Sequence, residues 1–156
     1  MGISDVIAVV ALTATTYLAG LLIVFSTAVM PSLDAIADAQ ALAAMRVINR
    51  RITHPIFVVM FVASVATSIG AFVLGIALPR ERPWLLAAGA LYLVGFVFTT
   101  LRVHLPLNAM FDTLEPGDPA DLDRWRAASR SWTRYNHVRS TAALASALCY
   151  AVHLLT

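Results

Sequence analysis

Four apolar runs, three of them closed by proline, dominate this 156-residue chain. A helix rises about 1.5 Å per residue, so roughly 20 such residues cross the ~30 Å hydrocarbon core of a bilayer. Lipid offers backbone amides no water to bond, so each run must satisfy its polar groups internally, which leaves the helix. Composition agrees: 60% of the residues are hydrophobic and 13% charged, against about 45–50% and about 25% in soluble domains. Too few charges remain to solvate a water-facing surface. A soluble enzyme, a disordered regulator and a multidomain protein are excluded. The expected fold is all-α and integral to a membrane, a single four-transmembrane-helix domain over 1–156. Its spans are expected at about 6–30, 55–78, 84–104 and 136–155.

The connections are unequal. Pro31 closes the first run, and residues 33–52 then repeat apolar side chains at Ile36, Ala39, Leu42, Met45 and Ile52, with Asn49 on the same face. That three/four spacing predicts an amphipathic helix lying at, or plugged into, one membrane surface. Ser64, Ser68, Ala71 and Gly75 form a small-residue track along the second span that lets a neighbouring helix come close. The short PRERP turn at 79–83 makes spans two and three an antiparallel hairpin, with Trp84 at the interface and Pro106 ending the third span. From Asp121 the periodicity continues into the fourth span, which predicts one extended helix whose first half projects from the bilayer.

All 11 basic residues are Arg, and they are asymmetric: nine follow spans one and three, while Arg80 and Arg82 stand alone on the other side. Read by the positive-inside rule, this puts both termini outside a plasma (inner) membrane and the two long connections in the cytoplasm. The start, MGISDVIAVV, lacks the basic n-region of a cleaved signal, so the first run is expected to stay as an anchor. No basic run suits nucleic acid, and the lone Cys149 excludes disulfide and thiolate-metal frameworks. The lipid bilayer is the expected partner, and a homo-oligomer is open. A faint repeat relates the halves: span, Pro-Leu, helix, then Asn with Arg, at Pro31…Asn49-Arg50 and Pro106…Asn136…Arg139.

Polar side chains at membrane depth are expensive and read as functional by default. Here they gather at one mouth of the bundle: His54, Arg102, His104, Asn108, Asn136, His137 and Arg139, with Asn49 from the amphipathic helix. Trp125, Ser129, Trp132, Asn136 and Arg139 follow a four-three-four-three spacing and share one helical face.

The strings FSTAVMPSLD, ALAAMRVINRRITHPIF, HLPLNAMF and RSWTRYNHVRS, in this order around the spans, resemble the anthrone oxygenase-like family of small four-helix membrane proteins, most of them bacterial. The resemblance covers about Tyr17 to Leu148. It implies an oxygenase-like activity on a planar, lipophilic phenolic substrate of the anthrone kind, using molecular oxygen and no bound cofactor. An anthrone is acidic at the carbon between its rings, so such a site needs a base and donors for the resulting anion. In that reading His137 is the base, Arg139 and Arg102 stabilise the anion, and Asn136 completes the catalytic set. Asn49 and Asn108 orient the substrate, while Trp132 and Trp125 stack on its rings. Two other readings stay open. One is a haem or transition-metal protein using His54, His104 and His137, since four-helix bundles hold cofactors between facing helices. The other is a non-enzymatic, lipophile-binding or structural membrane protein.

Overall fold

The computed structural model describes residues 2–78 and 82–156, and every regular element among them is helical. There are five helices: α1, Ile3–Asp34; α2, Asp38–Ile52; α3, Pro55–Ala77; α4, Pro83–Thr113; and α5, Pro119–Leu155. All but α2 are long and apolar enough to cross a membrane. The turn expected at 79–83 falls partly outside the described residues, which omit Pro79, Arg80 and Glu81. The four spans form a ring in which α1 packs on α5 and α3, α3 on α4, and α4 on α5.

Small residues set the closest contacts. Ser64, Ser68, Ala71 and Gly75 of α3 are all buried, and a Cβ at Gly75 would lie 2.5 Å from the Leu86 backbone. Across the hairpin, a Cβ at Gly89 would lie 2.7 Å from Phe72 Cβ. These contacts let hydroxyls bridge the helices: Tyr92 Oη donates to Ser64 Oγ at 2.6 Å, and Tyr150 Oη to Ser68 Oγ at 3.1 Å. Such bonds substitute for water that the membrane cannot supply.

Four boundaries differ from the sequence expectation. Neither Pro31 nor Pro106 ends its span: α1 runs on to Asp34 and α4 to Thr113. A helical proline clashes with the carbonyl four residues back and lacks an N–H. Each helix accommodates this with a widened, π-type turn immediately before the proline. Met30 N–H reaches back to Phe25 O, and Leu105 N–H to Thr100 O. Such turns recur at functional sites. The amphipathic helix starts at Asp38 rather than near 33, because Leu33 and Asp34 still belong to α1. The helix of the fourth span, α5, begins at Pro119 rather than Asp121, where Asp118 Oδ1 caps Ala120 N–H at 2.9 Å and proline takes the first turn. Its 37 residues make it about 55 Å long, well beyond the ~30 Å bilayer core.

The amphipathic helix does not float on the surface. Leu42 and Met45 are fully buried in a cluster with Phe25, Met30, Phe111, Trp125 and Trp132, which seals the proline end of the bundle. Ile36 sits in the connector and stays exposed. Arg46 clasps α2 to the end of α4, donating from Nε to Phe111 O at 2.7 Å and from Nη2 to Leu114 O. Arg126 on the projecting part of α5 pairs with Asp38 at the start of α2. These ties fix the depth and rotation of α2, and with them the position of Asn49.

Candidate functional site

On α5, the 100° step of the helix decides which polar residues enter the bundle. Trp125, Ser129, Trp132, Asn136 and Arg139 all fall on the buried face. Asn136 is completely buried and Arg139 is 8% exposed. Asn136 Nδ2 donates across to α1, to Leu22 O and Ser26 Oγ, at 2.7 Å each. Its Oδ1 accepts from Arg139 Nη2 at 2.7 Å. Arg139 Nη1 lies 3.5 Å from Thr100 Oγ, at the widened turn of α4. The guanidinium carbon sits 5.6 Å from the Trp132 ring and 6.0 Å from that of Phe96. Aromatic faces attract a cation but do not cancel its charge.

Arg139 thus carries a permanent positive charge into the bundle, and no ion pair among the described residues involves it. Its Nε is buried and has no hydrogen-bond partner among the described residues, and the same is true of Asn49 Nδ2. Both residues line one cavity of about 80 Å³, together with Leu22, Phe25, Ile52, Phe57, Asn108 and Trp132. Trp132 cannot swing out of its wall, because Nε1 donates to Asn108 Oδ1 at 2.9 Å. A small, partly aromatic cavity is therefore lined by two residues that each carry a buried N–H without a partner among the described residues, and one of them is a cation with no ion pair there. Chemically, it is built to receive an oxygen acceptor, above all an anionic one.

The other expected site residues lie elsewhere. His137 is exposed on the outer face of α5 beside Val138, Thr141 and Ala145, because it is one step from Asn136 and turned away from the cavity. Arg102 is also exposed, with its guanidinium 5.7 Å from the Phe98 ring, so it reaches outward rather than into the site. Trp125 is buried one layer deeper, edge-on to Phe111 at 4.9 Å, and is not part of the cavity wall. The three histidines do not converge. His54 caps α3 from an exposed position, while His104 is buried between Thr99 O and Trp132 O at 3.4 and 3.3 Å. No group of three metal-binding side chains occurs among the described residues. The three histidines expected to share a haem or metal are thus not brought to one place.

The family model described as anthrone oxygenase matches residues 45–149, a stretch that contains Asn49, Asn108, Trp132, Asn136 and Arg139. The chain belongs to the anthrone oxygenase family. Comparisons with curated proteins and with solved structures find no match. In this family member, the matched region supplies the charged and amide groups of the cavity, while the α1 wall (Leu22 and Phe25, with Ser26 behind them) lies outside it.

Several contributors carried no sequence signal strong enough to single them out. Ser26 and Thr100 are hydroxyls in apolar spans, beside Thr27 and Thr99, where most such groups bond their own helix. Thr100 Oγ does so, donating to Phe96 O at 2.7 Å, and still faces Arg139. Ile52 and Phe57 look like ordinary lipid-facing residues until the turn between α2 and α3 folds them over the cavity.

Proposed function

We propose that the cavity binds the ionised, oxygen-bearing edge of a planar, lipophilic phenolic compound of the anthrone kind, and that molecular oxygen then oxidises this anion. What carries the reading is the uncompensated Arg139 guanidinium, with an unused Nε–H, in an aromatic-walled cavity. Pockets that enclose a whole small molecule run to about 300–1,000 Å³, whereas this one measures about 80 Å³. One ring edge enters, and the remaining rings lie outward along Ile52 and Phe57.

The chemistry needs little more than that charge. The enol form of an anthrone gives its O–H proton to water, and Arg139 with Asn49 holds the resulting oxyanion. Negative charge delocalises onto the carbon between the rings. That carbon passes one electron to oxygen, giving a carbon radical and superoxide, which combine to form a C–O bond. The peroxide takes up a proton, and loss of water across its O–O and C–H bonds leaves a second carbonyl. One oxygen molecule is consumed and one water released per quinone formed. No side chain is required as the base, which suits a cavity where Arg139 is the only ionisable lining residue among the described residues.

The test is oxygen uptake and quinone absorbance with a hydroxylated anthrone and the purified protein in detergent micelles. We expect one oxygen per quinone, with Arg139→Met reduced to the autoxidation background and Asn49→Leu strongly slowed. Undiminished turnover in Arg139→Met would refute the proposal. Tight binding without turnover would favour the non-enzymatic, lipophile-binding reading.

A further inference from the structure

Buried arginines usually meet a carboxylate, which neutralises them through a paired, bidentate contact. Arg139 instead meets an amide, and that amide is used to the full. Asn136 accepts from Arg139 through Oδ1 while its Nδ2 donates to Leu22 O and Ser26 Oγ, all three bonds at 2.7 Å. A carboxylate could accept from the guanidinium but would face the Leu22 carbonyl with like partial charge. An aliphatic side chain could do neither. We propose that Asn136 is a positioning residue whose neutrality leaves the Arg139 charge free for an anion in the cavity, so that the site selects the ionised over the neutral form of its phenolic ligand. This rests on the anion-binding reading above and adds to it the reason for an amide at this position.

Three observations converge on the same role. The anchor reaches another helix: Leu22 and Ser26 lie on α1, on either side of the start of its widened turn, so Asn136 is fixed from outside its own helix. Arg139 follows Asn136 by three residues, so one helical turn transmits that placement to the guanidinium. Thr100 approaches the other terminal nitrogen, and Nε has no hydrogen-bond partner among the described residues, so no carboxylate meets any of the three nitrogens there. A fixed opposite charge within a few ångströms lowers the pKa of an acid by about one to three units. The bound phenol should therefore ionise about tenfold to a thousandfold more readily than the free one.

The experiment uses a lipophilic hydroxyanthraquinone, whose phenol and phenolate absorb at different wavelengths and which is already oxidised, so binding is read without turnover. Its pKa is measured bound to the full-length protein in micelles and in empty micelles. The wild type should lower it at least tenfold in proton affinity. Asn136→Asp should bring it back to within about threefold of the micelle value while still binding the neutral phenol, a split that simple loss of folding would not produce. If the wild type shows no lowering, the anion reading itself fails, and this inference with it. If the wild type lowers the pKa and folded Asn136→Asp lowers it equally, only the role of Asn136 is overturned. Should Asn136→Asp not fold, Ser26→Ala decides, since it removes one anchor of Asn136 without touching Arg139. An intermediate shift supports the inference, and a wild-type shift overturns it.

Discussion

Replacing Arg139 by methionine separates a residue kept for its charge from one kept for the fold. At 8% exposure, most side chains of this size would cost about 2–5 kcal/mol on truncation. Arg139 should not. Burying an ion carries a penalty of several kcal/mol, and about 2.5–3.5 kcal/mol on membrane-insertion scales. Against this stands one good charge-assisted bond, to Asn136 Oδ1 at 2.7 Å, worth about 1.5–3 kcal/mol. The Trp132 and Phe96 faces at 5.6 and 6.0 Å add a further contribution, of about 0.5–2 kcal/mol. The opposing contributions nearly cancel. Methionine fills most of the volume without a charge to desolvate, and the one new defect is an unmatched Asn136 Oδ1, costing about 1–3 kcal/mol. Arg139→Met should therefore change unfolding stability by no more than about 2 kcal/mol in either direction. Anion binding should disappear. The assay is denaturant unfolding in micelles followed by far-UV circular dichroism, run beside the hydroxyanthraquinone titration. A loss of about 4 kcal/mol or more would mean that Arg139 holds the bundle together, and the reasoning would be wrong.

Gly75→Val forces a Cβ to within 2.5 Å of the Leu86 backbone, and should cost about 3 kcal/mol or more, seen as a lowered thermal midpoint. A midpoint equal to wild type would show that α3 and α4 do not approach so closely. Arg46→Ala removes both bonds to the carbonyls of Phe111 and Leu114, with a cost of about 2–3 kcal/mol. Amide exchange over residues 38–52 should then quicken while the membrane part of α5 stays protected, and unchanged protection of α2 would contradict the clasp. Terminal tags should be reachable only from the external face of intact cells, as the nine Arg after spans one and three require. Labelling from the cytoplasmic side would reverse the orientation.

Hydropathy alone places the four spans, because a membrane helix leaves no alternative use for twenty apolar residues. The shared face of Trp132, Asn136 and Arg139 is equally readable, since spacing on one helix is local geometry. What spacing does not give is which way a residue turns on another helix, or where the regular period breaks. Arg102 and His137 have the right residue types at the right depth. Depth does not fix rotation, though, and both turn outward. Asn49 is legible because it interrupts an apolar face, and only a cavity or a partner makes such an interruption tolerable. The partner of Asn136 on α1, the Leu22 carbonyl, is invisible in principle, since every residue has one.

The prolines join these two kinds of information. Read as helix stops, Pro31 and Pro106 mislead about where the spans end. Read as the source of the widened turns, they account for where the site lies. Met30 and Leu105, each just before a proline, make the wide backbone bond. The partners of the polar cluster, Leu22 O, Ser26 Oγ and Thr100 Oγ, all sit at or within one turn of those two turns. Two of these acceptors are side-chain hydroxyls, and Leu22 O takes the Asn136 N–H while it also accepts the Phe25 N–H of its own helix. Two disturbed helices, facing each other across α5, supply acceptors in an otherwise apolar interior. That lets an asparagine be held there, and through it an arginine whose charge nothing on the protein neutralises among the described residues.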